Sequence, residues 1–136
     1  MFTKILIAVD PSFDDKQKAA LQTALKLADD TLAEIHALTV IEPMPLHIPP
    51  DYGPSIEETA GPEAMKKLRA FLGEQSEIRT FVSHGKAAHE IIDHAKEHGV
   101  GCIVIASHQP ELSDYLLGST AARVVRHAPC SVLVLR

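Results

Sequence analysis

The chain has 136 residues, 46% hydrophobic and 23% charged, the make-up of one ordinary folded domain spanning 1–136 rather than a disordered or fibrous chain. Thirteen Lys and Arg against eighteen Asp and Glu leave a net charge of −5, which disfavours nucleic acid as a partner but not a small phosphate held by backbone N–H groups. No stretch reaches the ~18 apolar residues of a membrane-spanning helix, and Asp10 interrupts the first apolar run with no cleavage site behind it, so the expectation is a cytoplasmic protein without a membrane partner.

Residues 4–10, KILIAVD, are an almost continuous β-prone apolar run ending in a carboxylate, which predicts a strand buried on both faces and therefore a parallel sheet. Leu21, Ala24, Leu25 and Ala28 then recur at helical spacing among Lys18, Lys26 and Asp29, predicting an amphipathic helix over 15–31. A second strand is expected over Glu34–Ile41. Five of the nine prolines fall between Pro43 and Pro54, a density that forbids regular structure and suggests a surface excursion placed as a lid.

Met65, Leu68 and Leu72 restore a helical stripe over Ile56–Leu72, and Glu77–Val82 reads as a third strand. Gly85 allows a tight turn; Ala88, Ile91, Ile92 and Ala95 form the apolar face of a helix ending near Gly99. Residues 101–107, GCIVIAS, are a fourth strand, followed by a loop, a short helix opening at Gly118 and a last strand, Ser131–Leu135. Strict alternation of strand and helix with right-handed crossovers gives a doubly wound α/β fold: an open five-stranded parallel sheet with helices on both faces.

Ligands of such sheets bind beyond the carboxyl ends of the strands, where strand order reverses. Asp10-Pro11-Ser12, Thr39-Val40-Ile41 and Ala106-Ser107-His108-Gln109 are the segments placed to converge there. Gly118-Ser119-Thr120 opens a helix whose free N–H groups and dipole suit an anion, although Gly-Ser-Thr also serves as an ordinary N-cap.

These residues carry a resemblance to the universal stress protein family over essentially the whole chain. It rests on KILIAVDPS, TVIEP, HGKAAHEII and the terminal block IVIASHQPELSDYLLGSTAARVVRHAPCSVLVLR. The resemblance implies strand order 3-2-1-4-5, dimerisation through the last strand, and ATP as ligand, with Mg²⁺ on its phosphates where hydrolysis or self-phosphorylation occurs. The family's phosphate pattern has glycines where this chain has Ala106 and Gln109, with eight residues between Gln109 and Gly118, so the phosphate loop differs; the SH-x-P loop followed by LLGS is similar to a bacterial branch that binds ATP. Carried over, Ala8 and Val9 line the base pocket, Asp10 accepts from ribose hydroxyls, Pro11 shapes the turn and Val40 reads the adenine edge through its main chain. Ser107, His108 and Gln109 line the phosphate channel, and Gly118, Ser119 and Thr120 hold phosphate oxygens. The expected function is a nucleotide-sensing stress-response or regulatory homodimer without dedicated catalysis. The alternatives are a slow ATPase or autophosphorylating enzyme, with Ser119 or Thr120 as acceptor, and a nucleotide-free interaction protein.

Other residues read more plainly. Asp10 also suits a turn cap. His89 and His94 are five apart, about 140° round a helix, and cannot share a metal. His94 and His98 share a face at i, i+4 beside Glu90 and Glu97, a spacing that permits adventitious metal binding, but the better account, and the expectation, is a solvated polar face. Gly85-Lys86 reads as a turn and helix start, and Cys102 and Cys130 as reduced thiols, with Cys130 packed at the entrance of the last strand. The apolar last strand, at a sheet edge, calls for cover, which a two-fold dimer supplies.

Overall fold

Ile5, Leu6 and Ile7 are wholly enclosed, and this first strand, β1 (Lys4–Ala8), is the centre of the sheet. The computed structural model describes residues 2–43, 55–107 and 117–136, with side chains from Thr59 onward in the second helix; the proposed lid lies outside them but for Pro43. Along the chain follow α1 (Asp15–Thr31), β2 (Glu34–Ile41), α2 (Ser55–Leu72), β3 (Arg79–His84), α3 (Ala87–His98), β4 (Cys102–Ala106), α4 (Ser119–His127) and β5 (Ser131–Leu135). The strands are all parallel in the order β3-β2-β1-β4-β5, so the chain winds outward from β1 in both directions.

Strand alternation sorts the core into two layers. Ile5, Ile7, Cys102 and Val104 face Leu21, Ala24, Leu68 and Leu72 of α1 and α2. Leu6, Leu38, Val40 and Ile103 face Ile91, Ala95 and Val124 of α3 and α4. Small residues on α1 and α3 let both helices lie close to the sheet. Cys102 is buried and Cys130 half-buried, and burial pushes both thiols above their ordinary pKa.

The third strand begins later than its composition suggests. The carbonyl of Gln75 accepts the Ile78 N–H, which spends that donor on a turn, and pairing with β2 starts at Arg79 opposite His36. The expected solvated face on α3 is also corrected. His94 is 8% exposed, because positions 94 and 98 continue the stripe of Ile91 and Ala95 and lie over β2 and β3. There they meet His36, which is fully buried, and Phe81. Burial, with His98 and His36 alongside, lowers the pKa of His94 to about 4, so its ring is neutral near pH 7.

α1 ends on Leu32, whose φ of 56° is left-handed and whose side chain is 93% exposed. A Cβ in that region costs roughly 1–2 kcal/mol, and nothing packed is lost on its removal. Leu32→Gly is therefore expected to raise stability by about 1 kcal/mol, read as a higher urea midpoint at unchanged slope. A lower midpoint would show that the cap is unstrained.

Candidate functional site

The sheet opens where β1 stops. Val9 makes one more ladder bond, its N–H donating to the Leu38 carbonyl at 2.8 Å, but its own carbonyl accepts the Thr39 hydroxyl at 2.8 Å. In a continued parallel ladder that carbonyl would accept the Val40 N–H. The alternation of the ladder turns the N–H and C=O of Val40 toward the side β1 has left, and no backbone bond of that amide occurs there among the described residues. Next, Asp10 donates its N–H to Gln17 Oε1 at 3.0 Å while its carboxylate accepts the Ser12 N–H at 2.9 Å. Asp10 thus fixes its own turn, as its type suggests, and still stands at the mouth of the sheet.

A cavity of about 140 Å³ occupies this opening. Its apolar wall is Ala8, Leu38, Val40, Ile91 and Ile105, and its polar rim is Asp10, Gln17, Ser119 and Thr120. Of the site residues expected from sequence, Ala8, Val9, Asp10, Pro11, Val40, Gly118, Ser119 and Thr120 line it together. Ser107 does not: it is buried behind, donating its N–H to the Leu135 carbonyl at 2.7 Å and accepting the Gly118 N–H on its hydroxyl at 3.2 Å. His108 and Gln109 lie outside the described residues.

Two helices begin at this rim with opposite electrostatics. α3 starts at Lys86, and the carboxylate of Glu42 accepts the Ala87 N–H at 3.0 Å, so a negative charge already caps that dipole. This explains why Gly85-Lys86 is a turn and helix start. α4 starts at Gly118, which has no side chain to cap it, and the first bond of the helix is Ala122 N–H to the Gly118 carbonyl. The amides of Ser119, Thr120 and Ala121 precede that bond and have no intrahelical partner. Among the described residues the rim thus offers one helix start without a side-chain cap, facing an apolar cleft.

Gln17 is the site residue that sequence reading missed. It is 1% exposed, on the first turn of α1, and its carbonyl oxygen satisfies Asp10. The available signal was its spacing, since 17, 21, 24 and 28 form one stripe of which Gln17 is the polar member.

In doubly wound α/β domains the switch point and a helix start are the places where small ligands bind when they bind. The Usp family model, described as the universal stress protein family, matches residues 1–136. The chain is 34% identical to universal stress protein YxiE of Bacillus subtilis (strain 168), covering all of both. It is 32% identical to the solved universal stress protein UspA from Lactobacillus plantarum, at a TM-score of 0.75 over 98% of this chain and 97% of that one. The fold is shared at 16% identity with a universal stress protein crystallised in complex with cAMP, at a TM-score of 0.67 over 99% and 97% of the two chains. The chain belongs to the universal stress protein family. No described helix is long and apolar enough to cross a membrane.

Gln17→Leu keeps the volume of the side chain and deprives the Asp10 N–H of its acceptor. An expected loss of about 1–3 kcal/mol follows from one unsatisfied buried donor, measured by urea unfolding. Wild-type stability in this variant would mean that water replaces the amide at no cost.

Proposed function

We propose that the chain binds ATP in the cavity beyond β1, with Mg²⁺ on the phosphates, and acts as a nucleotide-sensing regulatory module of the stress response. The observation that carries this reading is the pairing, in one cleft, of an apolar wall with a helix start that no side chain caps among the described residues. Adenine fits between Ala8, Val40 and Ile105, with its edge against the main chain of Val40. The Asp10 carboxylate, whose second oxygen is not used by the Ser12 turn, accepts from ribose hydroxyls. The amides of Ser119 and Thr120 and their hydroxyls take phosphate oxygens. At about 140 Å³ the enclosed part suits the nucleoside end, and the phosphates extend along the start of α4. The cAMP-bound relative supports the capacity of this fold for an adenine nucleotide.

Gly118 has φ −58° and ψ 155°, values open to any residue, and Asp is a preferred N-cap. Gly118→Asp therefore should fold at an unchanged or higher melting temperature while its carboxylate occupies the phosphate position. The expected result is saturable ATP uptake by the wild type in equilibrium dialysis and none by the variant. Equal uptake by both would place the phosphates elsewhere, and no uptake by the wild type at millimolar ATP would leave an interaction protein without nucleotide.

We also propose a homodimer through β5. It pairs with β4 on one side only, and Val132 to Leu135 are each half-buried in a single chain, an apolar edge that a second copy would cover by two-fold pairing. Sedimentation equilibrium should give twice the mass of one chain at micromolar concentration. The mass of a single chain would overturn the assignment.

A further inference from the structure

On the same side of the sheet as the nucleotide cleft, but lining no part of it, three histidines converge from two elements. His36 projects from β2, and His94 and His98 come from successive turns of α3. One ring nitrogen from each lies within 4.8 Å of the other two. We propose that His36, His94 and His98 form a binding site for a borderline divalent transition metal, zinc in the first instance, which clips α3 to the second strand.

The geometry supports this at each ligand. His36 Nδ1 and His94 Nε2 are 3.0 Å apart. Two nitrogens at the usual ~2.0–2.1 Å from a tetrahedral zinc are separated by roughly 3.3 Å, so the ion takes the place of the shared hydrogen with a few tenths of an ångström of spreading. The far nitrogen of His36, Nε2, is 2.8 Å from Glu34 Oε1. A carboxylate there holds the proton on Nε2 and leaves the Nδ1 lone pair for a metal, the carboxylate–histidine–metal arrangement that orients ligands and raises their basicity. Arg79 holds the same Glu34 oxygen at 3.3 Å and fixes its place.

His98 is the half-buried member and the way in. Its ring stacks on His94 with centroids 4.1 Å apart and planes 29° from parallel, so metal binding requires it to turn about its outer torsion and bring a nitrogen inward from the 4.8 Å spread of the three ligand atoms. Phe81, 4.5 Å from His94 and 5.2 Å from His98 between centroids, makes an apolar wall. The bridging proton of His94 moves from Nε2 to Nδ1, a change of tautomer that leaves His94 a neutral imidazole with the Nε2 lone pair free for the metal. Three imidazoles leave one position for water. Nitrogen ligands of this kind favour zinc, copper and nickel over magnesium or calcium, which prefer oxygen. The site is independent of nucleotide.

The full chain, stripped of metal by chelation, is titrated with Zn²⁺ while melting temperature is followed, and with Co²⁺ while visible absorption is followed. The proposal expects one equivalent per chain, a saturable rise in melting temperature and the intense d–d bands of four-coordinate cobalt. His98→Phe keeps an aromatic ring on His94 and loses all three responses. Glu34→Gln, at an exposed carboxylate, keeps the stoichiometry and weakens affinity about 10- to 100-fold. His89→Ala, which removes the exposed His89–Asp93 pair on the outer face of α3, changes nothing. Absence of saturable binding, wild-type affinity in both His98→Phe and Glu34→Gln, or loss of binding in His89→Ala would each overturn the proposal. Should His98→Phe fail to fold, wild-type affinity in Glu34→Gln overturns it alone.

Discussion

A parallel sheet has to stop somewhere, and the bonds that stop this one determine where a ligand can go. At Val9 the ladder is still complete on its donor side, through Leu38, but the Thr39 hydroxyl takes the carbonyl that would have carried it on. One residue later the Asp10 amide turns out of the sheet into the side chain of Gln17. Each backbone group is satisfied by a side chain at the moment the strand leaves, so β1 ends without an orphaned donor and without closing over its neighbours. The cleft is the space so vacated, walled by the strands that run on and the helices that return. Its depth is set by two hydrogen bonds, one donated by the Thr39 hydroxyl and one accepted by the Gln17 side chain.

The same economy separates the two helix starts at the rim. Glu42, just beyond β2, reaches the first amide of α3 and neutralises that dipole from outside the helix. At α4 the local chain supplies glycine, and the hydroxyl of Ser107 engages the Gly118 amide that precedes the helix. A rim with both starts capped would hold no anion, and a rim with both open would leave two unpaired dipoles facing an apolar cleft. One of each gives the cleft a direction: apolar toward α3, positive toward α4.

Much of this was legible in the sequence because it is written in periodicity. Strand and helix identities follow from apolar runs of different period, and the α/β alternation fixes crossovers and faces. Where reading failed, polar residues stood at apolar positions. His36, His94 and His98 occupy core spacings on β2 and α3, but a histidine is scored as solvent-facing unless its partners are known, and those partners lie 58 residues apart in the chain. Gln17 was hidden for the same reason. The start of β3 slipped by two residues because a backbone bond in the preceding turn, invisible to composition, consumed the Ile78 amide. The phosphate-channel role of Ser107 came from the family resemblance; its hydroxyl accepts the Gly118 N–H, a pairing that its place after β4 does not reveal.

Ser107 also ties together features that have separate sequence origins. Its N–H donates to the carbonyl of Leu135, at the end of β5, and its hydroxyl accepts from Gly118, at the start of α4. A single buried residue therefore spans the sheet edge and the helix start. Displacing β5 would move the Leu135 carbonyl, which is held at 2.7 Å, and a short bond between buried groups transmits position more faithfully than a contact through solvent. The backbone of Ser107 continues β4, whose last residue, Ala106, also lines the cleft. The edge strand and the start of α4 are thus two hydrogen bonds apart, joined through one buried residue.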